Sequence, residues 1–134
     1  MGEQNQSFTI GALANASGVS VETIRYYQRE KLVAEPPRPQ GGVRRYDHQH
    51  VGRLKFIRSA QRLGFSLREV AELLLLDDGG GCSVVQVRAQ AKLDEVRTRM
   101  ADLRRMEEAL AELVYSCSVS RGNVRCPLIA SLAA

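Results

Sequence analysis

From Ser83 to Cys117 the chain contains neither proline nor glycine, and Ala89, Leu93, Val96, Met100, Leu103, Glu107, Leu110, Val114 and Cys117 recur at alternating steps of four and three. That spacing is a heptad seam, interrupted only at Glu107, beside which Met106 is apolar. It predicts one long helix with an apolar stripe that the helix cannot bury by itself. The stripe must lie along the preceding domain or against a second copy of the chain. The remaining residues offer little surface for so long a stripe, so the closed solution is a two-fold homodimer.

The segment ahead of the seam reads as a compact helical domain, residues 1–76. Thr9 caps a short helix through Ile10, Leu13 and Ala14 that breaks at Ser17-Gly18, and Ser20 caps a second from Val21 to about Glu30. Two short helices joined by a glycine-containing turn form a helix-turn-helix. The second carries Thr23, Arg25, Tyr26 and Tyr27, groups able to touch phosphates and base edges, although Ile24 and one of the tyrosines are expected in the core. Glu35-Pro36-Pro37-Arg38-Pro39-Gln40-Gly41-Gly42 cannot continue a helix, and Val43-Arg44-Arg45-Tyr46 follows as an extended piece. A hairpin at this point reads as a wing, with Arg44 and Arg45 set to grip a duplex backbone. Asp47 caps a third helix with apolar positions Val51, Leu54, Ile57 and Leu63 and a cationic remainder of Arg53, Lys55, Arg58 and Arg62. Ser66-Leu67-Arg68-Glu69 is a capping box opening a fourth, to about Leu76.

Charge divides along the same line. Of the formal net charge of +4, residues 1–76 hold 11 Lys/Arg against 7 Asp/Glu, whereas residues 77–134 hold 8 of each. The cations are overwhelmingly arginine, the side chain suited to forked contacts with phosphate and guanine. A polyanion partner for the first domain alone fits this asymmetry. The longest apolar run, Leu73–Leu76, is far below the roughly 20 residues that cross a bilayer. The opening residues lack a targeting pattern, so no membrane role and a cytoplasmic location are expected.

Asp77-Asp78-Gly79-Gly80-Gly81 reads as a hinge, taken as residues 77–83, followed by a dimerisation helix over 84–117 and a loop with a short terminal helix over 118–134. All three cysteines, Cys82, Cys117 and Cys126, fall in this half, an odd count that argues against a disulfide framework in a reducing compartment. Cys82 and Cys117 would lie about 50 Å apart along a helix rising 1.5 Å per residue. Cys126 can reach back from Cys117 at most about 30 Å. One intact chain therefore cannot gather the three thiols. Antiparallel pairing would bring each Cys82 beside the partner's Cys117 and Cys126, giving two three-sulfur sites. Such a site favours a soft metal over magnesium, calcium or manganese. Zinc usually takes four ligands and is disfavoured, though a water could fill the last position. The bland alternative is three cysteines that only pack. A thiol enzyme would need an activating base, and no cysteine has a sequence-local histidine or a CxxC partner; no catalytic residue is assigned.

With these residues in view, the chain resembles the MerR family of transcriptional regulators over essentially its whole length. The likeness rests on Phe8-Thr9-Ile10-Gly11, on Val21-Glu22-Thr23-Ile24-Arg25-Tyr26-Tyr27, on Arg44-Arg45-Tyr46 and on Arg62-Leu63-Gly64-Phe65-Ser66-Leu67. At the other end, Cys82, Cys117 and the run Arg121 to Ile129 through Cys126 resemble the mercury-responsive members. Lead and other divalent-metal sensors of the family use similarly placed cysteines.

The resemblance implies a mainly α protein, a winged helix-turn-helix followed by an antiparallel coiled-coil helix and a metal-binding loop. It implies a homodimer on a palindromic operator within promoter DNA, repressing without metal and activating when Hg(II) distorts the DNA so that RNA polymerase engages both promoter elements. By matching motif, Thr23, Arg25, Tyr26 and Tyr27 belong to the recognition helix, Arg44, Arg45 and Tyr46 to the wing, and Arg62 to a second backbone-contacting element. Cys82, Cys117 and Cys126 become the ligands of one Hg(II) per site, with Cys82 given by the partner chain. Tyr115 stands where some mercury regulators carry an additional cysteine, which is not one of the three shared ligands. The alternatives are a sensor of lead, cadmium or zinc and an architectural DNA-binding protein with structural cysteines.

Overall fold

A computed structural model describes residues 7–119 and 127–133 of the chain. It contains six helices among these residues: α1 (Ile10–Ser17), α2 (Val21–Arg29), α3 (His48–Arg62), α4 (Leu67–Asp77), α5 (Cys82–Val119) and α6 (Leu128–Leu132). The chain divides into two compact units, Met1–Asp78 and Gly79–Ala134.

In the first unit each helix begins where a side chain can satisfy backbone N–H groups that have no intrahelical acceptor. Thr9 accepts from the Ala12 N–H, Ser20 from Thr23, Asp47 from His50 and Ser66 from Glu69. The box at Ser66 and Glu69 forms as its sequence predicts. At Asp47 the reciprocal partner is His50, whose Nδ1 reaches back to the Asp47 backbone N–H at 3.3 Å. This hydrogen-bonded histidine is the foremost reason the Asp47 carboxyl is held below its ordinary range.

The core comprises Leu13 from α1, Ile24 from α2, Leu54 and Ile57 from α3 and Val70 from α4, all fully buried. Helices α1 and α2 pack together, α1 also packs on α3, and α3 on α4. The turn between α1 and α2 depends on Gly18, whose φ of 73° lies in the left-handed region. Arg58 of α3 donates from Nη1 to the Gly18 carbonyl oxygen at 2.7 Å, tying the turn to α3. A Cβ built on Gly18 would stand 2.5 Å from that same nitrogen.

The wing differs from the expected hairpin. Among the described residues there is no strand ladder, only an isolated antiparallel bridge between Phe8 and Tyr46, with N–H to carbonyl distances of 2.7 and 2.8 Å. Pro36, Pro37 and Pro39 have no N–H to offer a partner strand. Arg44 fastens the segment instead, donating from Nε to the Pro36 carbonyl at 3.0 Å and pairing with Glu35 at 3.2 Å.

In the second unit, α5 runs unbroken across the predicted coiled-coil stretch and extends it slightly at both ends. Helix α6 packs against it. The seam is open in the single chain: Leu93, Met100, Leu103, Leu110 and Val114 are 40, 57, 63, 44 and 70% exposed. Among the described residues no helix is long and apolar enough to cross a membrane.

Two stability outcomes are expected. Gly18→Ala should lower unfolding free energy by about 1–2 kcal/mol, the cost of a left-handed non-glycine residue, with the displaced Arg58 contact added; urea denaturation measures it. Asp47→Ala should cost about 1 kcal/mol at neutral pH, as loss of a helix N-cap does. Because the folded carboxyl titrates below its unfolded value, its contribution is present above the ordinary carboxylate range and is lost as the pH falls through the folded value. The gap between wild type and variant should accordingly narrow in acid, and denaturation curves at neutral pH and near pH 3 check the sign.

Candidate nucleic-acid interface and thiol positions

Helix α2 divides cleanly by face. Ile24 and Tyr27 turn inward, whereas Arg25, Tyr26 and Arg29 are exposed. Arg29 stacks over the Tyr26 ring with its guanidinium carbon 5.9 Å from the centroid, an arrangement that presents cation and aromatic face together. Thr23 stands in the first turn, its hydroxyl 2.8 Å from that of the N-cap Ser20.

A cleft of about 550 Å³ lies where this helix meets the wing, and Arg25, Arg29, Arg38 and Arg44 all contribute to its walls, with Glu35 the acidic member. Four guanidinium groups around one open groove suit a phosphate backbone. The structure thus brings Arg25, Arg44 and Tyr46 to one cleft; Thr23, Tyr26, Tyr27, Arg45 and Arg62 lie outside it, with Arg45 and Arg62 exposed. Arg29 and Arg38 were missed by motif reading. The i, i+4 spacing of Arg25 and Arg29 was the available signal for the first, while the proline-rich context of Arg38 offered none.

Tyr27 and Tyr46 are held in the framework beneath the surface, although Tyr46 also lines the cleft. They are only 5 and 3% exposed. The Tyr27 hydroxyl donates to Gln61 Oε1 at 2.7 Å, and Gln28 Nε2 donates to the Tyr46 hydroxyl at 2.9 Å. Burial raises the Tyr27 phenol above its ordinary value, with the Arg58 charge opposing, which keeps it a neutral donor. The two tyrosines anchor α2 to α3 and the wing to α2.

Cys82 opens α5 and Cys117 stands near its other end, both exposed with free thiols. One unbroken helix between them keeps the two sulfurs about 50 Å apart. Among the described residues no three His, Cys, Asp or Glu side chains gather in a way that could hold a metal. Cys126, the third expected ligand, lies outside the described residues.

Tyr27→Phe should therefore reduce stability by about 0.5–1.5 kcal/mol through loss of one buried hydrogen bond while leaving duplex affinity nearly unchanged. Denaturation and fluorescence-anisotropy titration, run on the same preparation, separate the two effects.

Residues 8–76 match the family model described as MerR HTH family regulatory protein, and residues 51–113 match that described as MerR, DNA binding. The mercuric resistance operon regulatory protein of Shigella flexneri is 58% identical over 127 residues, covering 95% of this chain and 88% of that protein. Among solved structures, the dual-function transcriptional regulator MerR from Bacillus megaterium MB1 in complex with mercury(II) is 36% identical, with TM-score 0.51, covering 95% of this chain and all of that one. The regulator PbrR691 from Ralstonia metallidurans CH34 in complex with lead(II) is also 36% identical, with TM-score 0.53, covering 93 and 98%. Family models spanning both the helix-turn-helix and most of the long helix, joined to high identity over nearly the whole chain, establish that this protein belongs to the MerR family of helix-turn-helix transcriptional regulators and is not an enzyme.

Proposed function

We propose that the protein is a mercury(II)-responsive regulator that binds promoter DNA as an antiparallel homodimer, represses without metal and activates when Hg(II) binds. The observation that carries the reading is the open apolar seam of α5 with a thiol toward each end. Fully burying a Leu, Met or Val side chain contributes about 1.5–3 kcal/mol. An exposed ion pair such as Arg105–Asp102 contributes about 0.2–1 kcal/mol. The seam, repeated on two chains, outweighs the polar surface of the helix and favours a second copy.

Antiparallel pairing supplies Cys82 of one chain to Cys117 and Cys126 of the other, so each three-sulfur site holds one Hg(II). Thiolates are soft donors matched to a soft ion. The 58% identity to a mercuric resistance regulator supports mercury, while the lead(II)-bound relative keeps lead as the second reading. On DNA, Arg25 and Arg44 contact the backbone from the cleft, with Thr23, Tyr26, Arg45 and Arg62 extending the interface. RNA polymerase enters through the shared promoter, which sets the work of the protein in the cytoplasm.

Metal acts by differential affinity for two arrangements of the dimer. It joins the loop of one chain to the start of α5 in the other, beside Gly79-Gly80-Gly81, and the signal reaches polymerase as a change in DNA bend and twist.

The test uses mixed dimers with Cys82→Ser in one chain and Cys126→Ser in the other. Both defects fall in the same pocket, so the mixed dimer should bind half the wild-type Hg(II), read by sulfur-to-metal charge-transfer absorption, while each parent homodimer has no complete three-sulfur site. Equal loss in mixed and parent dimers would overturn the shared site. Competition between Hg(II) and Pb(II) on the wild-type dimer decides between the two metal readings.

A further inference from the structure

Arg53 has no part in the duplex cleft or the thiol positions, yet its polar contacts join three separate places in the first unit. From the middle of α3 its Nε donates to the Leu32 carbonyl at 2.6 Å. Its Nη1 donates to Asp78 Oδ1 at 3.2 Å and lies 3.7 Å from Asp77 Oδ2. The Arg53 side chain is 23% exposed, but the Asp77 and Asp78 carboxylates are 79 and 55% exposed, so water screens the two ion pairs more than the contact with Leu32.

The places that Arg53 joins are specific. Leu32 and Val33 are the buried residues through which the chain leaves α2, and Lys31 just before them holds a φ of 61°. A non-glycine residue persists there only where its surroundings over-determine it. The Leu32 N–H is spent on the Tyr27 carbonyl, closing the end of α2, and the Leu32 carbonyl is left for Arg53. Asp77 is the last residue of α4 and Asp78 its C-cap; directly beyond, Gly79 and Gly80 have φ of 88° and 139°. One planar guanidinium thus spans the exit of the recognition helix and the last rigid residues before the glycines that lead to α5. Lysine, with one nitrogen, cannot donate in both directions from a fixed fork.

We infer that Arg53 is a positioning residue that couples the exit of α2 to the exit of α4, so that a reorientation of the long helix is delivered to the recognition helix instead of being absorbed at Gly79-Gly80-Gly81. The inference rests on the metal-responsive reading above in its last step only. The clamp itself involves only residues of the first unit.

The test compares full-length wild type, Arg53→Lys and Asp78→Asn by three readouts. These are amide hydrogen exchange across residues 76–82 without metal, operator affinity without metal, and operator untwisting on addition of HgCl2. Both variants should speed exchange at 76–82 and weaken the metal-induced untwisting, each by roughly two- to fivefold, the range of a partly exposed ion pair. Operator affinity and the protection of α3 amides should stay near wild type. Unchanged exchange at 76–82 in both variants overturns the clamp. So does loss of protection throughout α3 in both, which would make the contact one of general stability. Faster exchange with a full HgCl2 response overturns the transmission step. A wild-type protein that ignores HgCl2 strikes the mercury reading instead, and hydrogen exchange alone then decides the clamp.

Discussion

A straight α5 is the constraint on which the rest depends. Its backbone hydrogen bonds are satisfied internally, so it can run without support, but its apolar stripe cannot be satisfied internally at all. The same rigidity that leaves Leu103 and Val114 open to solvent keeps Cys82 and Cys117 about 50 Å apart. Under the proposed function, association and metal capture become one geometric problem. A flexible linker of equal length could fold back and bring its own thiols together; a helix without proline or glycine cannot.

The first unit meets a different requirement, since it must hold a short helix at a defined angle with few residues. It does so by spending several arginines on its own backbone. Arg58 holds the Gly18 turn, Arg44 the wing, and Arg53 the exits of α2 and α4. Positive charge in a nucleic-acid-binding domain thus has two uses. Arg25 and Arg29 are exposed along the groove beside the wing, whereas the carbonyl-bound guanidiniums fix the frame that holds them. Arg44 belongs to both sets, bonded to Pro36 and Glu35 while lining the groove, so engaging a phosphate there would compete with Glu35.

Local chemistry was the most legible part of the chain. Caps at Thr9, Ser20, Asp47 and Ser66 mark helix starts because a side-chain oxygen there replaces a missing backbone acceptor, an event confined to four residues. The seam of α5 was equally readable, because helical periodicity is written along the chain. Less legible was the wing, where proline composition signalled a break in helix without revealing that Arg44 would replace a strand ladder. Tyr26 and Tyr27 are adjacent and chemically alike, and only packing decides which is exposed.

By itself the amino-acid order determined where helices start and stop, that the long one must find a partner for its stripe, and that its thiols cannot meet within one chain, since each follows from spacing along a chain of known rise. Tertiary structure alone decided that Tyr27 and Tyr46 are core, that Arg25, Arg29, Arg38 and Arg44 share a groove, and that Arg53 ties Leu32 to Asp78. Those outcomes join residues remote in sequence, and a guanidinium carries no local mark of whether its acceptor will be a phosphate or a carbonyl of its own fold.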